Sequence, residues 1–417
     1  MKRKALVFVL LLVLVTSLLS VGIAGENQIV LNLWHKDTGV KGELYQKYVD
    51  KFMAENPNIR VEITQARSDA YKEKLPIAFS GNQQPDVFFT WGGSWLGNFV
   101  KAGHVMDLTG QVDTANFHQT ALANGEFDGK LYALPLGIDI GMVFYNKEIF
   151  AQHNLEVPAT FDELLAVNQT LKDNGIIPFV LANQPKWPGS FYFMYLVDRI
   201  GGPEAYQNAL NRTGAFNDEA FVMAGEAIDT LVSSGAFNPG FNGLTYDAGP
   251  GRQLLYTGQT AMMILSNTFV NLMRAEAPDF EEKLGIFPFP TVAGGLGDPS
   301  NLVGISAPEW SISANTKYPE ESKKLLELLT SKEIAQEYAD TTGAQSARSD
   351  VHSNDPFVQQ LEEMTAKAAH IQMVYDQNLP PELVDVHLNT TQEVFGQTMT
   401  PQQAADAMEE KAKQVIK

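Results

Sequence analysis

Asp128–Phe150, reading DGKLYALPLGIDIGMVFYNKEIF, is the stretch from which the fold can be worked out. Its first dipeptide, Asp128-Gly129, is typical of a tight turn and predicts that a strand starts directly after it. Leu131–Leu134 continues that strand, and Pro135 ends regular pairing because proline has no N–H to donate. The first part of the stretch is therefore predicted to be a short strand with a defined end.

The middle of the stretch combines glycine with one carboxylate. Gly137 and Gly141 flank Asp139 in an otherwise apolar run, and a second strand is predicted over Met142–Tyr145. Because glycine tolerates the backbone rotation that a hinge needs, residues 136–141 are predicted to carry the chain between two lobes. One continuous buried strand with a hydrogen-bonded Asp139 is the alternative.

The chain before this stretch alternates between strand and helix patterns. Strands are predicted over Ile29–Trp34, Ile59–Ile63 and Pro85–Phe89, and helices over Glu43–Glu55 and Ser68–Ser80. This order predicts an α/β fold with a mostly parallel open sheet and helices on both faces. Ligands of such sheets bind at the carboxyl ends of the strands, which are here the loops at 35–39 and 90–95.

The second of these loops, TWGGSW, places two tryptophans around two glycines. Indole faces can stack on the C–H faces of sugar rings, and glycine lets a ligand approach the backbone. Trp91, Gly93 and Trp95 are therefore predicted to bind a ligand, with Trp91 preferred because it comes first after the strand. The alternative is that either tryptophan only packs against the following helix.

The composition indicates an exported acidic protein. Residues 1–24 combine a basic head, an apolar run and a small-residue cleavage pattern, which predicts a secretory signal peptide; an uncleaved membrane anchor is the alternative. Loss of the three cations in that segment would change the formal charge from −19 to −22, which disfavours nucleic acid as a partner. With no Cys, the sequence predicts neither disulfides nor a lipid anchor through Cys, and we expect release into a periplasm.

The sequence contains few patterns that are typical of a catalytic site. The seven histidines are never three to five residues apart, so no helix presents a zinc pair, and no G-x-S-x-G, P-loop or G-x-G-x-x-G motif occurs. Carboxylates are plentiful, but their spacing along the chain cannot establish a glycosidase pair. The sequence predicts a binding protein without turnover, with no catalytic residue, metal or cofactor.

Several phrases of the chain resemble one family. Asp128–Phe150 matches its "DGKxYxxP" and "xYNKxxF" phrases, and Ser80–Thr109 matches its "sG..PDvf" run. Pro158–Leu164 resembles one of its helix starts, and Thr400–Lys411 resembles its closing helix. On these residues the chain is similar to the extracellular solute-binding proteins of carbohydrate ABC transporters (family 1, maltose-binding-protein-like).

The resemblance implies a fold and its domain boundaries. It implies a two-lobed, type II periplasmic-binding-protein-like fold, in which each lobe is a mostly parallel sheet flanked by helices and the chain crosses between lobes three times. The second crossing is expected at Gly285–Pro290 and the third near Thr330-Ser331. Lobe one is then 25–138 plus 290–330, and lobe two is 139–289 plus 331–417.

Further site residues are predicted in the second lobe. Trp187 and Phe191 follow a predicted strand and could provide a second stacking face, although the pattern around Phe191 is more typical of helix core. Asn267 and Thr268 offer amide and hydroxyl groups at another strand end, suited to sugar hydroxyls, with helix capping as the alternative. The late tryptophan that the family has near this point is replaced here by Thr268-Phe269.

Three polar residues complete the predicted site. Asp139, at the crossing, would accept charge-assisted hydrogen bonds from sugar hydroxyls. Asp385 resembles a family position near the ligand. His35 stands at a strand end, where a histidine can also cap or pack.

Together these features predict a monomeric carbohydrate-binding protein that holds a sugar between its lobes. A membrane permease of an ABC importer is implied as its partner by the resemblance. The two tryptophan-bearing loops favour an oligosaccharide, and aromatic loops without basic residues disfavour phosphate or sulfate ligands. A secreted polysaccharide hydrolase and a binding protein for a non-sugar solute remain the alternatives.

Overall fold

The computed structural model describes residues 28–306 and 308–416. The predicted signal peptide at 1–24 lies outside these residues. Within them, no helix has both the length and the apolar character needed to cross a membrane.

Strands and helices alternate along the described chain. The strands are β1 (Ile29–His35), β2 (Ile59–Gln65), β3 (Val87–Thr90), β4 (Glu126–Phe127), β5 (Lys130–Leu131), β6 (Leu134–Pro135), β7 (Gly137–Asn146), β8 (Ile177–Phe179), β9 (Thr260–Ser266), β10 (Leu284–Phe287), β11 (Leu302–Ser306), β12 (Glu309–Ile312), β13 (Gln345–Ser346) and β14 (Ile371–Met373). The α-helices are α1 (Gly39–Glu55), α2 (Ser68–Ser80), α3 (Gly93–Lys101), α4 (Gln119–Leu122), α5 (Lys147–Gln152), α6 (Phe161–Asp173), α7 (Trp187–Leu210), α8 (Glu219–Ser233), α9 (Pro250–Tyr256), α10 (Thr268–Glu276), α11 (Pro319–Leu329), α12 (Lys332–Thr342), α13 (Pro356–Lys367), α14 (Tyr375–Asn378), α15 (Pro381–Phe395) and α16 (Pro401–Val415).

The first lobe is built on a sheet of order β2-β1-β3-β12-β6. β1 pairs in parallel with β2 and β3, whereas β12 runs antiparallel to both β3 and β6. All four residues of β3 are buried, as expected for a parallel strand covered by helices on both faces. The order β1-α1-β2-α2-β3 that the sequence predicts is confirmed.

The second lobe is organised around β7. Its sheet has the order β14-β11-β7-β9-β8, and β10 and β13 also pair with β7. β7 runs antiparallel to each of its neighbours, while the outer pairs β11–β14 and β8–β9 are parallel. Each sheet thus has one strand that is antiparallel to the others, β12 in the first sheet and β7 in the second. The predicted fold class, two mostly parallel sheets flanked by helices, is confirmed.

The first crossing between the sheets is shorter than the sequence predicts. Pro135 pairs in the first sheet and Gly137 in the second, so Leu136 alone joins them. Asp139 already lies in β7, opposite Ser306. Gly141 serves close packing rather than rotation, because a Cβ there would lie 2.6 Å from the Phe191 ring.

The second crossing does not lie at Gly285–Pro290. β10 and β11 both pair with β7, so the chain is in the second sheet before and after that segment. It enters the first sheet only with β12, between Ser306 and Glu309. The expected boundary at residue 290 is displaced because an apolar strand followed by proline is equally typical of a strand that ends within one lobe.

The return to the second sheet passes through α11 and α12. α11 packs on β12 and β3, and α12 packs on α1 of the first lobe and on β7. The chain next pairs in the second sheet at β13, opposite Gly137 and Ile138. The third passage therefore extends beyond the predicted position at Thr330-Ser331.

Candidate functional site

A cavity of about 130 Å³ lies between the two lobes. The first lobe contributes residues after β1, after β2 and after β3, including Lys36, Asp37, Arg67 and Trp91. These positions are the carboxyl ends of parallel strands, where the sheet predicts a ligand site. The second lobe contributes residues of β7, α7, α9, α10 and α14.

Five of the residues predicted from the sequence line this cavity. They are Trp91, Asp139, Trp187, Phe191 and Thr268. Trp91 belongs to the first lobe and the other four to elements of the second, β7, α7 and α10. Residues from distant parts of the chain are thus brought together in one cavity.

Asp139 presents one carboxylate oxygen that the protein does not hydrogen-bond. Its Oδ2 accepts a hydrogen bond of 3.0 Å from the Thr268 hydroxyl. Its Oδ1 is buried, has no hydrogen-bond partner among the described residues, and lies 3.8 Å from Lys41 Nζ. Lys41 itself is only 1% exposed. The carboxylate is therefore paired with a buried cation, and one of its oxygens has no hydrogen-bond donor among the described residues.

The two lobes each present a tryptophan to the cavity. Trp91 is 9% exposed and packs edge to face on Phe89 at 4.9 Å and on Trp95 at 5.5 Å. Trp187 is half-buried and packs edge to face on Tyr246 at 4.7 Å. In such contacts the edge of one ring meets the face of the other, and Lys72 Nζ also lies over the Trp91 ring, 5.0 Å from its centroid. Trp91 both packs and lines the cavity, so the two sequence interpretations are not exclusive.

Three predicted residues of the first lobe lie outside the lining. His35 is buried in the core with its ring 5.2 Å from that of Tyr45, and burial lowers its pKa. Trp95 packs on Trp91 and Phe99. Gly93 contacts the opposite lobe, since a Cβ there would lie 2.0 Å from the Gln377 carbonyl oxygen. None of these three residues is part of the cavity lining.

Two predicted residues of the second lobe also lie outside the cavity lining. Asn267 is fully buried, where its Oδ1 accepts a 2.6 Å hydrogen bond from the Ile140 N–H and its Nδ2 donates to the Gly343 carbonyl. Asp385 is exposed on α15. A near neighbour on that helix, His387, instead reaches the cavity wall through a 2.6 Å hydrogen bond with Ser190.

The cavity also contains ionised residues that the sequence interpretation missed. Lys36 and Asp37 form an ion pair of 2.6 Å, and Arg252 and Glu276 form another of 2.6 Å. Burial acts to raise the pKa of Asp37, but the charges of Lys36 and Lys41 outweigh it and lower that pKa to about 2. The expectation that the site lacks basic residues is wrong, although these cations are neutralised within the protein.

Some of these missed residues had a signal in the sequence. Lys36 and Asp37 lie in the first of the two loops at predicted strand ends, and Arg67 follows the carboxyl end of β2. Arg252 and Glu276 had none, because the helices α9 and α10 that carry them meet the cavity only through tertiary packing.

The lobes contact each other beside the cavity through Asn271. This side chain, on α10, is 1% exposed. Its Oδ1 accepts a 2.8 Å hydrogen bond from the Lys41 N–H and its Nδ2 donates a 3.0 Å bond to the Thr38 carbonyl. On another side, Asp247 accepts a 3.0 Å bond from the Asp69 N–H. The cleft is therefore closed in this structure.

Replacing Asn271 with alanine is expected to shift the protein towards an open form. Two inter-lobe hydrogen bonds are lost, and each such bond contributes about 1 kcal/mol. Small-angle scattering should show a larger radius of gyration than in the wild type. Asn217→Ala is the matched control, because the Asn217 amide bonds to Asp406 within one lobe. Scattering curves that coincide for all three proteins would contradict the assignment of Asn271 as an inter-lobe contact.

Comparison with known proteins places this architecture in a family. Residues 36–336 match the model of the bacterial extracellular solute-binding proteins. The multiple sugar-binding protein of Streptococcus mutans is 24% identical over 329 residues, 76% of this chain and 75% of its own. A structure from work on xylan utilisation by Caldanaerobius polysaccharolyticus is 28% identical, with a TM-score of 0.87 over 92% of this chain and all of that one. The GacH receptor of Streptomyces glaucescens, solved unliganded and with acarbose, is 22% identical, with a TM-score of 0.78 over 94% of this chain and 99% of its own. Since the model covers well over half of its length, the chain belongs to the family of bacterial extracellular solute-binding proteins.

Proposed function

We propose that the protein binds a carbohydrate between its two lobes and delivers it to the permease of an ABC importer. The observation that carries this proposal is the composition of the cavity. Trp91 and Trp187 come from opposite lobes, and the Asp139 carboxylate belongs to the lining of the same space. Aromatic faces suit the apolar faces of sugar rings, and a carboxylate oxygen suits their hydroxyl groups.

The family relationship supports the same ligand class. One relative is named a multiple sugar-binding protein, and a structure 28% identical to this chain comes from work on xylan utilisation. A ligand held by both lobes would also favour the closed cleft, because only a difference in affinity between two states shifts their populations. The closed form is then the state that a permease would recognise.

Two carboxylates of the cavity lining favour binding over hydrolysis. A glycosidase needs one carboxyl group that remains protonated near neutral pH to act as an acid. Burial acts to raise the pKa of Glu276, but the hydrogen bond and the charge of Arg252, together with the Tyr256 hydrogen bond, outweigh it and lower that pKa. Asp37 likewise has a lowered pKa. These two carboxylates are thus suited to ion pairing rather than acid catalysis.

The remaining parts of the proposal concern partners, location and oligomeric state. A formal charge of −19 disfavours nucleic acid as a partner. We infer that the protein acts outside the cytoplasm as a monomer, after removal of residues 1–24 and without a Cys-linked lipid anchor.

A sugar panel in a thermal-shift assay tests this function. Xylose, xylo-oligosaccharides, maltotriose, chitobiose and raffinose are the probes, with a dipeptide mixture and inorganic phosphate as non-sugar controls. At a ligand concentration about 100 times Kd, binding stabilises the protein by about 2.7 kcal/mol, so a clear rise in melting temperature is expected with at least one sugar.

Chromatography of the sugar after incubation separates binding from hydrolysis. The bound sugar is expected to be recovered intact. Release of shorter sugars would favour a hydrolase, and stabilisation by peptides or phosphate alone would favour a non-sugar solute. Either result would overturn the proposed function.

A further inference from the structure

A buried carboxyl group lies behind the loop that carries Trp91. Glu309, at the start of β12, is 0% exposed. Its Oε1 accepts a 2.8 Å hydrogen bond from the Asn124 side-chain amide. Along β12, Glu309 is paired with Thr90 on one side and Pro135 on the other. It therefore sits between the residue before Trp91 and the residue before the first crossing.

Asn124 connects this carboxyl group to the Trp91 loop. It lies in a short turn, Ala123–Gly125, and is 1% exposed. Gly92 packs so closely on it that a Cβ at Gly92 would lie 2.2 Å from Asn124 Nδ2. The backbone directly after Trp91 thus rests on the amide that Glu309 holds.

Two acceptor atoms of this pair have no donor. Glu309 Oε2 and Asn124 Oδ1 are both buried without a hydrogen-bond partner among the described residues. Two buried acceptors without a donor are costly, and an ionised carboxylate in this position would be costlier still. A proton on Glu309 would remove the charge and supply a donor.

We propose that Glu309 is a positioning residue that, as a neutral carboxyl group and through Asn124, holds the Trp91 loop in place at the cavity. Its effect on ligand binding rests on the proposed function, whereas its effect on the Trp91 loop does not. Glu309 itself does not line the cavity.

The surroundings of Glu309 support a neutral state. Burial raises its pKa to about 8, against a smaller lowering effect of the Asn124 hydrogen bond. The strands β3 and β6 and the turn of Asn124 contain no ionisable residue. α11, which packs on β12, carries ionisable residues that are exposed or half-exposed: Glu320, Glu321, Lys323, Lys324 and Glu327.

The direction of the pH dependence follows from this raised pKa. The folded protein keeps the Glu309 proton up to about pH 8, whereas the unfolded chain releases it near 4.5. The contribution to stability is therefore complete below pH 4.5 and is lost as the pH rises through about 8. If ligand binds only to the neutral form, affinity should fall about tenfold one pH unit above that pKa.

Intrinsic tryptophan fluorescence, recorded without ligand from mildly acidic to mildly alkaline pH, tests the proposal. The wild type should show a transition with a midpoint near pH 8. Glu309→Gln, which stays neutral throughout, should show none, and Trp91→Phe should lose most of the amplitude. Glu327→Gln, an exposed glutamate on α11, is the matched control and should titrate like the wild type.

The outcomes distinguish this proposal from the proposed function. A wild-type signal that does not titrate, or a Glu309→Gln signal that titrates like the wild type, would overturn the positioning role even if a sugar binds. Where the panel identifies a sugar, its Kd should rise about tenfold across the transition in the wild type and stay constant in Glu309→Gln. A Kd that varies equally in both proteins would also overturn it.

Discussion

Replacing Asp139 with alanine is expected to weaken sugar binding tenfold or more. The change removes the unoccupied Oδ1 acceptor and the Oδ2 partner of Thr268. Hydrogen bonds to a charged group contribute about 1.5–3 kcal/mol, which corresponds to a loss of about ten- to a hundredfold in affinity. Isothermal titration with the sugar that gives the largest thermal shift measures the effect.

The same replacement is also expected to lower the melting temperature, for a separate reason. Lys41 is 1% exposed, and its ammonium group lies 3.8 Å from Asp139 Oδ1. Loss of one partner leaves a buried charge less compensated, which is strongly destabilising. Adding Lys41→Met to Asp139→Ala should therefore restore stability without restoring affinity. Wild-type affinity in the folded Asp139→Ala protein would remove Asp139 from the site.

Replacing Trp187 and replacing Trp91 are expected to differ in their effects on stability and on ligand affinity. Trp187→Ala should reduce affinity by about 30-fold, since a tryptophan in the centre of a binding surface contributes about 2 kcal/mol or more. Its cost in stability should be moderate because Trp187 is half-buried. Trp91→Ala should reduce both, because Trp91 is 9% exposed and core tryptophans cost about 3–5 kcal/mol on truncation.

The expected loss of stability in Trp91→Ala follows from the packing of the Trp91 ring on Phe89 and Trp95. Trp34→Ala is the control, because Trp34 is also only partly buried but lies outside the cavity lining. Equal losses of affinity in Trp34→Ala and Trp187→Ala would contradict a direct role for Trp187.

Several predictions that depended on local patterns agree with the structure. The alternation of apolar residues identified β1 to β3, and the rule for parallel sheets directed attention to the loops after β1 and β3. Trp91, in the loop after β3, lines the cavity as that rule predicts. Asp139 was marked by the glycines around it, although those glycines lie in a strand rather than in a flexible crossing.

Predictions that depended on the environment of a side chain were less accurate. His35 and Asn267 stand at strand ends, as binding residues often do, yet both are buried among partners supplied by other segments. The second crossing was misplaced because the pairing of β11 with β7 joins residues far apart in the chain. No local pattern reports such pairing.

The amino-acid sequence by itself determined the α/β class, the order of the first strands and helices, and the aromatic loop at a strand end, because hydrophobic period and turn residues act over a few positions. Only the tertiary structure decided which polar groups are satisfied and which face the cavity. Asn271 bonds to Thr38 across 233 positions, and Glu309 meets Asn124 across 185. Burial and charge pairing at such separations are set by how the two lobes pack, so the chemistry of the site appears only when the chain is folded.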